Sequence, residues 1–263
     1  VSEKAQILVF PEYGSMELCS LFAKTIQESL ILQIAEMAKI RNDFISTFSD
    51  FAKKYKVYIL APSLPVQENS KVINRAYFFN RDGQPQFQDK MNMTRFEDED
   101  WCIVSGAPDL KVFETAFGNI GINICFDSEF PQLAFEQSQL GMQLLLAPSC
   151  TATAAGLQRV QIGCRARALE NQIFVGQCST VGEAPWSPSV DVNVGQAMVF
   201  TPPDVGFPSH GSIAQGTLNQ AQWVYADLDL QLIENVRTHG NVFNFKKSIT
   251  AFTLFAMRSI LWA

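Results

Sequence analysis

Residues 120–147 read IGINICFDSEFPQLAFEQSQLGMQLLLA, and the hydrophobic period changes twice along them. Ile120, Ile122 and Ile124 alternate with smaller or polar residues, the period-2 pattern of a strand with one face in a core. Pro131 suits the first turn of a helix whose apolar spacing lasts to Leu140, where Gly141 stops it. The run 142–147 is then apolar enough to need cover on both faces. Strand, helix and doubly buried strand in succession predict an α/β protein with helices packed on sheets.

The same alternation extends outward in both directions. A strand is predicted at 6–10, helices at 18–40 and 42–55, and a strand at 57–61 that Pro62 and Pro65 terminate. Residues 72–79 and 85–88 flank Arg81-Asp82-Gly83 as a hairpin, and 111–115 with 120–124 form a second one around Phe117-Gly118-Asn119. Between the hairpins, 91–108 has no sustained period and holds the acidic cluster Glu97-Asp98-Glu99-Asp100, so it reads as a long loop. A helix at 156–170 feeds a strand at 172–178, short β-like runs follow at 196–200 and 222–227, and a last helix covers 228–237. Neither repeat nor linker divides the chain, which predicts one domain.

Composition narrows the function. The 263 residues are 47% hydrophobic and 17% charged, which excludes disorder, collagen and coiled coil. Twenty basic against twenty-six acidic residues give a charge of −6, the wrong sign for a nucleic-acid partner. No signal peptide is read at the start, and the apolar stretch 249–263 is broken by Arg258 and is shorter than the ~18–20 residues that cross a bilayer. The expectation is a cytoplasmic protein without a membrane partner. Six scattered cysteines, with no C-x-x-C and no histidine at ligand spacing, predict neither a metal site nor a disulfide framework.

Three reactive side chains lie where apolar strands stop, the place where α/β sheets present groups to a ligand. They are Glu12 in Ile-Leu-Val-Phe-Pro-Glu-Tyr, Lys90 in Phe-Gln-Asp-Lys-Met, and Cys125 in Asn-Ile-Cys-Phe-Asp-Ser-Glu-Phe-Pro. Taken singly, a cysteine is more often an inert core thiol, and a strand-end glutamate or lysine more often a solvated charge. Taken together they supply a nucleophile, a base and a cation for an oxyanion. A helix start after Cys125, capped by Asp127 or Ser128, would favour the thiolate. A Cys–His pairing requires His210 or His239 beside a cysteine, and Ser149 lacks the nucleophile-elbow sequence.

Phe-Pro-Glu-Tyr, a lysine after a hairpin, and Cys-Phe-Asp-x-x-Phe-Pro, in this order and at these separations, resemble the carbon–nitrogen hydrolase (nitrilase) superfamily. The resemblance runs from about residue 6 to about residue 245 and implies an αββα four-layer sandwich of two mixed sheets between helices. It places that family's Glu–Lys–Cys triad on Glu12, Lys90 and Cys125. Thr94-Arg95-Phe96-Glu97, followed by Trp101, resembles the segment carrying the family's second glutamate and nominates Glu97, with Asp98 and Glu99 as solvated neighbours. The backbone N–H of Phe126 would join Lys90 at the oxyanion, and Tyr13, Ser149 and Trp186 would shape the pocket. Arg165 to Gln172 resembles a helix-to-strand segment that members place near a subunit interface.

Members begin with a further strand and helix before Phe-Pro-Glu, so the first sheet is expected to lack that strand. The domain is expected over 1–247, with 248–263 as an apolar tail docking on a neighbouring subunit of a homodimer or larger homo-oligomer. The implied activity is hydrolysis of a small amide through a thioester, without a cofactor. Nitrile or N-carbamoyl hydrolysis by the same triad is the alternative, and a catalytically idle binding or assembly protein of the same fold is the rival from another class.

Overall fold

The computed structural model describes residues 4–248. Two sheets lie face to face between helices, in the αββα arrangement. The first sheet contains β1 (Ile7–Val9), β2 (Tyr58–Leu60), β3 (Leu64–Glu68), β4 (Lys71–Phe79) and β5 (Pro85–Asp89). β1 is parallel to β2, whereas β2 and β3 lie end to end along one edge of the long β4 and β5 pairs with its other edge. Among the described residues β1 has no strand on its outer side.

The second sheet is built from β6 (Val112–Thr115), β7 (Gly118–Ile122), β8 (Leu144–Ser149), β9 (Phe174–Ser179), β12 (Met198–Phe200) and β13 (Ser212–Gln215), in the order β13-β12-β9-β8-β7-β6. Its centre, β7-β8-β9, is parallel, and β8 is buried along its whole length as the apolar run requires. The pair β10 (Gly182–Glu183) and β11 (Val192–Asn193) forms a small separate ribbon.

Side-chain alternation on β4 divides the core. Ala76 and Phe78 face the second sheet, where Tyr58 and Leu60 join Ile120, Ile122, Leu144 and Phe174. Tyr77 and Phe79 face the other way, with Ile59 and Val66, onto Met37, Phe44 and Ala52 of α2 (Leu30–Tyr55). Ahead of α2 come a 3-10 segment, Gly14–Leu21, and the single turn α1 (Lys24–Gln27). The second sheet is covered by α4 (Pro131–Gln139) and α5 (Ala154–Asn171), preceded in sequence by the short α3 (Arg95–Glu99); α6 (Gln231–His239) follows, and residues 244–248 are helical again.

Four expectations are corrected. The helices predicted at 18–40 and 42–55 are one 26-residue helix after irregular turns, because the Ser29 side chain caps at Leu32 and no Gly or Pro follows until Lys56 ends it at φ 54°. Pro65 does not terminate a unit but lies inside β3, whose outer edge asks nothing of the missing N–H. The loop 91–108 contains α3. Residues 222–227 form no strand: most are exposed, and β propensity without a neighbouring edge does not make a sheet. The tail 249–263 lies outside the described residues.

Candidate active site

Glu12, Lys90, Glu97 and Cys125 come from four separate segments and meet between the ends of the two sheets. Glu12 follows β1, where Phe10 N–H still bonds the Leu60 carbonyl and the next residue, Tyr13, turns at φ 53° with its N–H on Ser63 Oγ. Lys90 follows β5, and its N–H donates to the Asn74 carbonyl on β4. Glu97 is the third residue of α3. Its carboxylate takes the Thr94 N–H and hydroxyl while Thr94 Oγ1 accepts the Glu97 N–H, a reciprocal cap that turns the side chain inward. Cys125 comes three residues after the end of β7, at φ 49°, and begins a 3-10 turn, Cys125–Glu129.

The ammonium of Lys90 is the hub. Its Nζ donates to Glu12 Oε1 at 2.8 Å and to Glu97 Oε2 at 2.6 Å, and the side chains of all three are at most 2% exposed. Tyr13 Oη donates to Glu97 Oε1 at 2.7 Å. Asn74 Nδ2 donates to Glu12 Oε1 at 2.9 Å and to Glu97 Oε1 at 3.5 Å. The Cys125 thiol is directed at the Cys150 carbonyl, 3.6 Å away, and lies near enough to Glu12 to feel its charge.

Burial sets the protonation states. It pushes Glu12 up to about 7, against the opposing pull of Lys90. Burial by itself would lower Lys90, but Glu12 and Glu97 outweigh it and hold the ammonium charged. Glu97 also feels burial, yet Lys90 carries it below the usual carboxylate range. Burial, followed by the charge of Glu12, drives the Cys125 thiol well above its ordinary value. The expectation of a dipole-stabilised thiolate is therefore corrected. Cys125 opens a 3-10 turn rather than α4, whose N-cap is Phe130 without a side-chain cap.

Asp127 does not cap that helix. Its buried carboxylate accepts Met91 N–H, Asn92 N–H and Asn92 Nδ2, tying the strand end beyond Lys90 to the turn that carries Cys125. On the opposite side, Arg167 of α5 donates to the Ser128 carbonyl in that turn. Gly163 lies so close to the same carbonyl that an added Cβ would stand 2.8 Å from it. Phe126 follows Cys125 within the turn, and its ring packs edge-on against Phe130.

A cavity of about 400 Å³ opens beside this cluster, lined by Tyr13, Trp186 and Asn193 among others. Asn193 Oδ1 meets the Cys150 thiol at 3.3 Å, and Cys150 offers its carbonyl to Cys125, so two contacts link cavity wall to sulfur. Cys125 itself is 3% exposed and lies behind that wall. Of the residues expected to shape a pocket, Tyr13 and Trp186 line this cavity. Ser149 does not: it is wholly buried, and its hydroxyl donates to the Ala147 carbonyl. His210 and His239 are exposed, and neither bonds a cysteine, which removes the Cys–His reading. Asn74 was missed by the sequence reading, because an asparagine inside a β-rich run carries no local mark of its partners. Among the described residues no group of acidic, cysteine or histidine side chains is arranged to hold a metal ion, and no helix is long and apolar enough to cross a membrane.

Residues 1–238 match the family model described as carbon–nitrogen hydrolase. A probable hydrolase of Bacillus subtilis is 35% identical over 243 residues, which are 92% of this chain and 47% of that protein, so the chain spans about half of that relative. An omega-amidase of Danio rerio is 26% identical over 242 residues, 89% of this chain and 79% of the fish protein. Among solved structures, an amidase variant from Nesterenkonia sp. with acrylamide added at its active-site cysteine superposes with a TM-score of 0.66. It is 18% identical, over 96% of this chain and 88% of its own.

Proposed function

The chain belongs to the carbon–nitrogen hydrolase family, and from that premise we propose that it hydrolyses a small amide by acyl transfer to Cys125, with Glu12 as base and Lys90 at the oxyanion. The observation that carries this reading is the convergence of Glu12 and Glu97 on the Lys90 ammonium, with the Cys125 thiol buried within reach of the charges of all three.

A protonated thiol next to a carboxylate that titrates near 7 suits base-assisted attack. Glu12 takes the thiol proton as Sγ bonds to the amide carbon, and the C=O electron pair moves onto oxygen. Lys90 Nζ and the Phe126 N–H receive that charge. The C–N bond then breaks, the nitrogen leaves with the proton from Glu12, and a thioester remains. Water gives a proton to Glu12, adds to the thioester, and the acid departs as the proton returns to sulfur. Glu97, held by Lys90, Tyr13 and Thr94, keeps the ammonium in place rather than attacking.

The omega-amidase and amidase relatives support an amide as substrate. Nitriles and N-carbamoyl compounds would use the same groups. An idle scaffold would gain little from this cluster, since apolar residues of equal volume are often as stabilising as a buried ion pair. The test is ammonia release from a panel of amides, N-carbamoyl amino acids and nitriles, alongside brief limiting iodoacetamide with mass spectrometry. Turnover of amides that C125A abolishes, with labelling concentrated at Cys125, is expected. A folded C125A protein as active as the parent would overturn the assignment.

A further inference from the structure

Asn74, which the sequence did not nominate, touches three members of the cluster: Glu12, Glu97 and Lys90. It is wholly buried on β4, at the end of the inward-facing row that continues through Ala76 and Phe78. One side-chain amide, Nδ2, reaches both carboxylates, Glu12 Oε1 at 2.9 Å and Glu97 Oε1 at 3.5 Å. Its backbone carbonyl accepts the Lys90 N–H at 2.9 Å, so the same residue also fixes the root of the lysine. Asn74 Oδ1 has no hydrogen-bond partner among the described residues.

The orientation of this amide is dictated by charge. Exchanging Nδ2 with Oδ1 would press a carbonyl oxygen against two carboxylate oxygens, so the nitrogen must face them even though the oxygen is left unpaired. The consequence falls on Glu12. Its Oε1 already accepts Lys90 Nζ and Asn74 Nδ2, which leaves Oε2 as the oxygen available to a thiol proton. Without Asn74, Lys90 is the one side chain among the described residues left donating to Glu12 Oε1, and Glu12 and Glu97 face each other with one donor fewer.

We infer that Asn74 is a positioning residue for the proposed reaction: its amide orients the Glu12 carboxylate toward Cys125 and favours the ionised form in which Glu12 acts as base. This rests on the acyl-transfer reading above, and the experiment separates the two. The variants are N74L, close in volume and unable to donate, and N74D, which sets a third carboxyl beside the existing two. The readouts are kcat and KM for an amide from pH 5 to 9, and the pH dependence of Cys125 alkylation by iodoacetamide, which needs no turnover.

Loss of a donor to the charged form raises a carboxyl pKa. In N74L the acid limb of kcat/KM and of alkylation should move up by about one pH unit, with kcat at pH 7 lower by about 10- to 100-fold, the usual effect of a hydrogen bond to a charged group. N74D should move the limb at least as far. KM should hold, because Asn74 does not line the cavity. Unmoved limbs in either folded variant, or a loss wholly in KM, would overturn the role of Asn74. A wild-type protein that turns over no amide and shows no selective alkylation would instead remove the underlying reading. Should N74L fail to fold, N74D alone decides.

Discussion

Replacing Lys90 by methionine keeps an unbranched apolar stem, one atom shorter, and removes one charge from the centre of the cluster. Two carboxylates lose their shared partner, at contacts of 2.8 and 2.6 Å, in a place where all three side chains are at most 2% exposed. Each pairing at ~4 Å between charge centres has a Coulomb energy of about 4 kcal/mol at an effective dielectric constant near 20. Part of this is offset because the ammonium no longer has to be stripped of water, and broken buried pairs cost about 3–5 kcal/mol in total.

That loss must depend on pH. In K90M both carboxyls are buried without a cation, so their folded pKa values lie above the unfolded value of 4.5. A carboxyl shifted upward binds more protons folded than unfolded, which destabilises the fold increasingly as pH rises through the shifted range. Urea denaturation should therefore show a deficit against wild type of about 3–5 kcal/mol at pH 8.5 that shrinks to roughly 1–2 kcal/mol at pH 5.5, where both acids can protonate. Turnover should drop by about 10²- to 10³-fold, the usual effect of losing an oxyanion donor. A deficit equal at both pH values, or one below about 1 kcal/mol, would refute the picture of one ammonium holding two buried carboxylates.

Other outcomes follow from the same geometry. Because only ionised Glu12 accepts the thiol proton, kcat/KM from ammonia release should rise with pH to a midpoint near 7 and fall away below it; a flat profile from pH 5 to 8 would contradict Glu12 as base. D127A leaves the buried Met91 and Asn92 N–H groups without their acceptor, so thermal or urea unfolding should show a loss of about 2–4 kcal/mol, and amide exchange should quicken at those two residues. An unchanged exchange rate there would mean that Asp127 does not link the two segments.

Much of the arrangement was legible because its causes are local. The run 142–147 has to be a covered strand, and Asp82-Gly83 has to be a turn, whatever surrounds them. Glu12, Lys90 and Cys125 stood out as polar groups at the ends of apolar runs, a position set by strand length alone. Other features depend on partners remote in sequence. Residues 222–227 have a strand's composition and no edge to pair with. Ser149, at the end of a strand like the others, turns its hydroxyl back onto Ala147. The state of the Cys125 thiol follows from burial beside Glu12 and not from the helix that its sequence foretells. The side-chain partners of Asn74 lie 62 and 23 residues away.

Glu97 has two employments. The oxygen that receives Lys90 Nζ is also the one that receives the Thr94 N–H and hydroxyl, so the start of a five-residue helix is fastened by a carboxylate of the charge cluster. Winding of α3 and ionisation of Glu97 are consequently one equilibrium seen from two ends. Whatever protonates Glu97 loosens the segment, and whatever frays the segment strips two donors from the acid. The order of this short piece of chain is then an optical or isotopic gauge of charge at the centre, readable without any substrate being present.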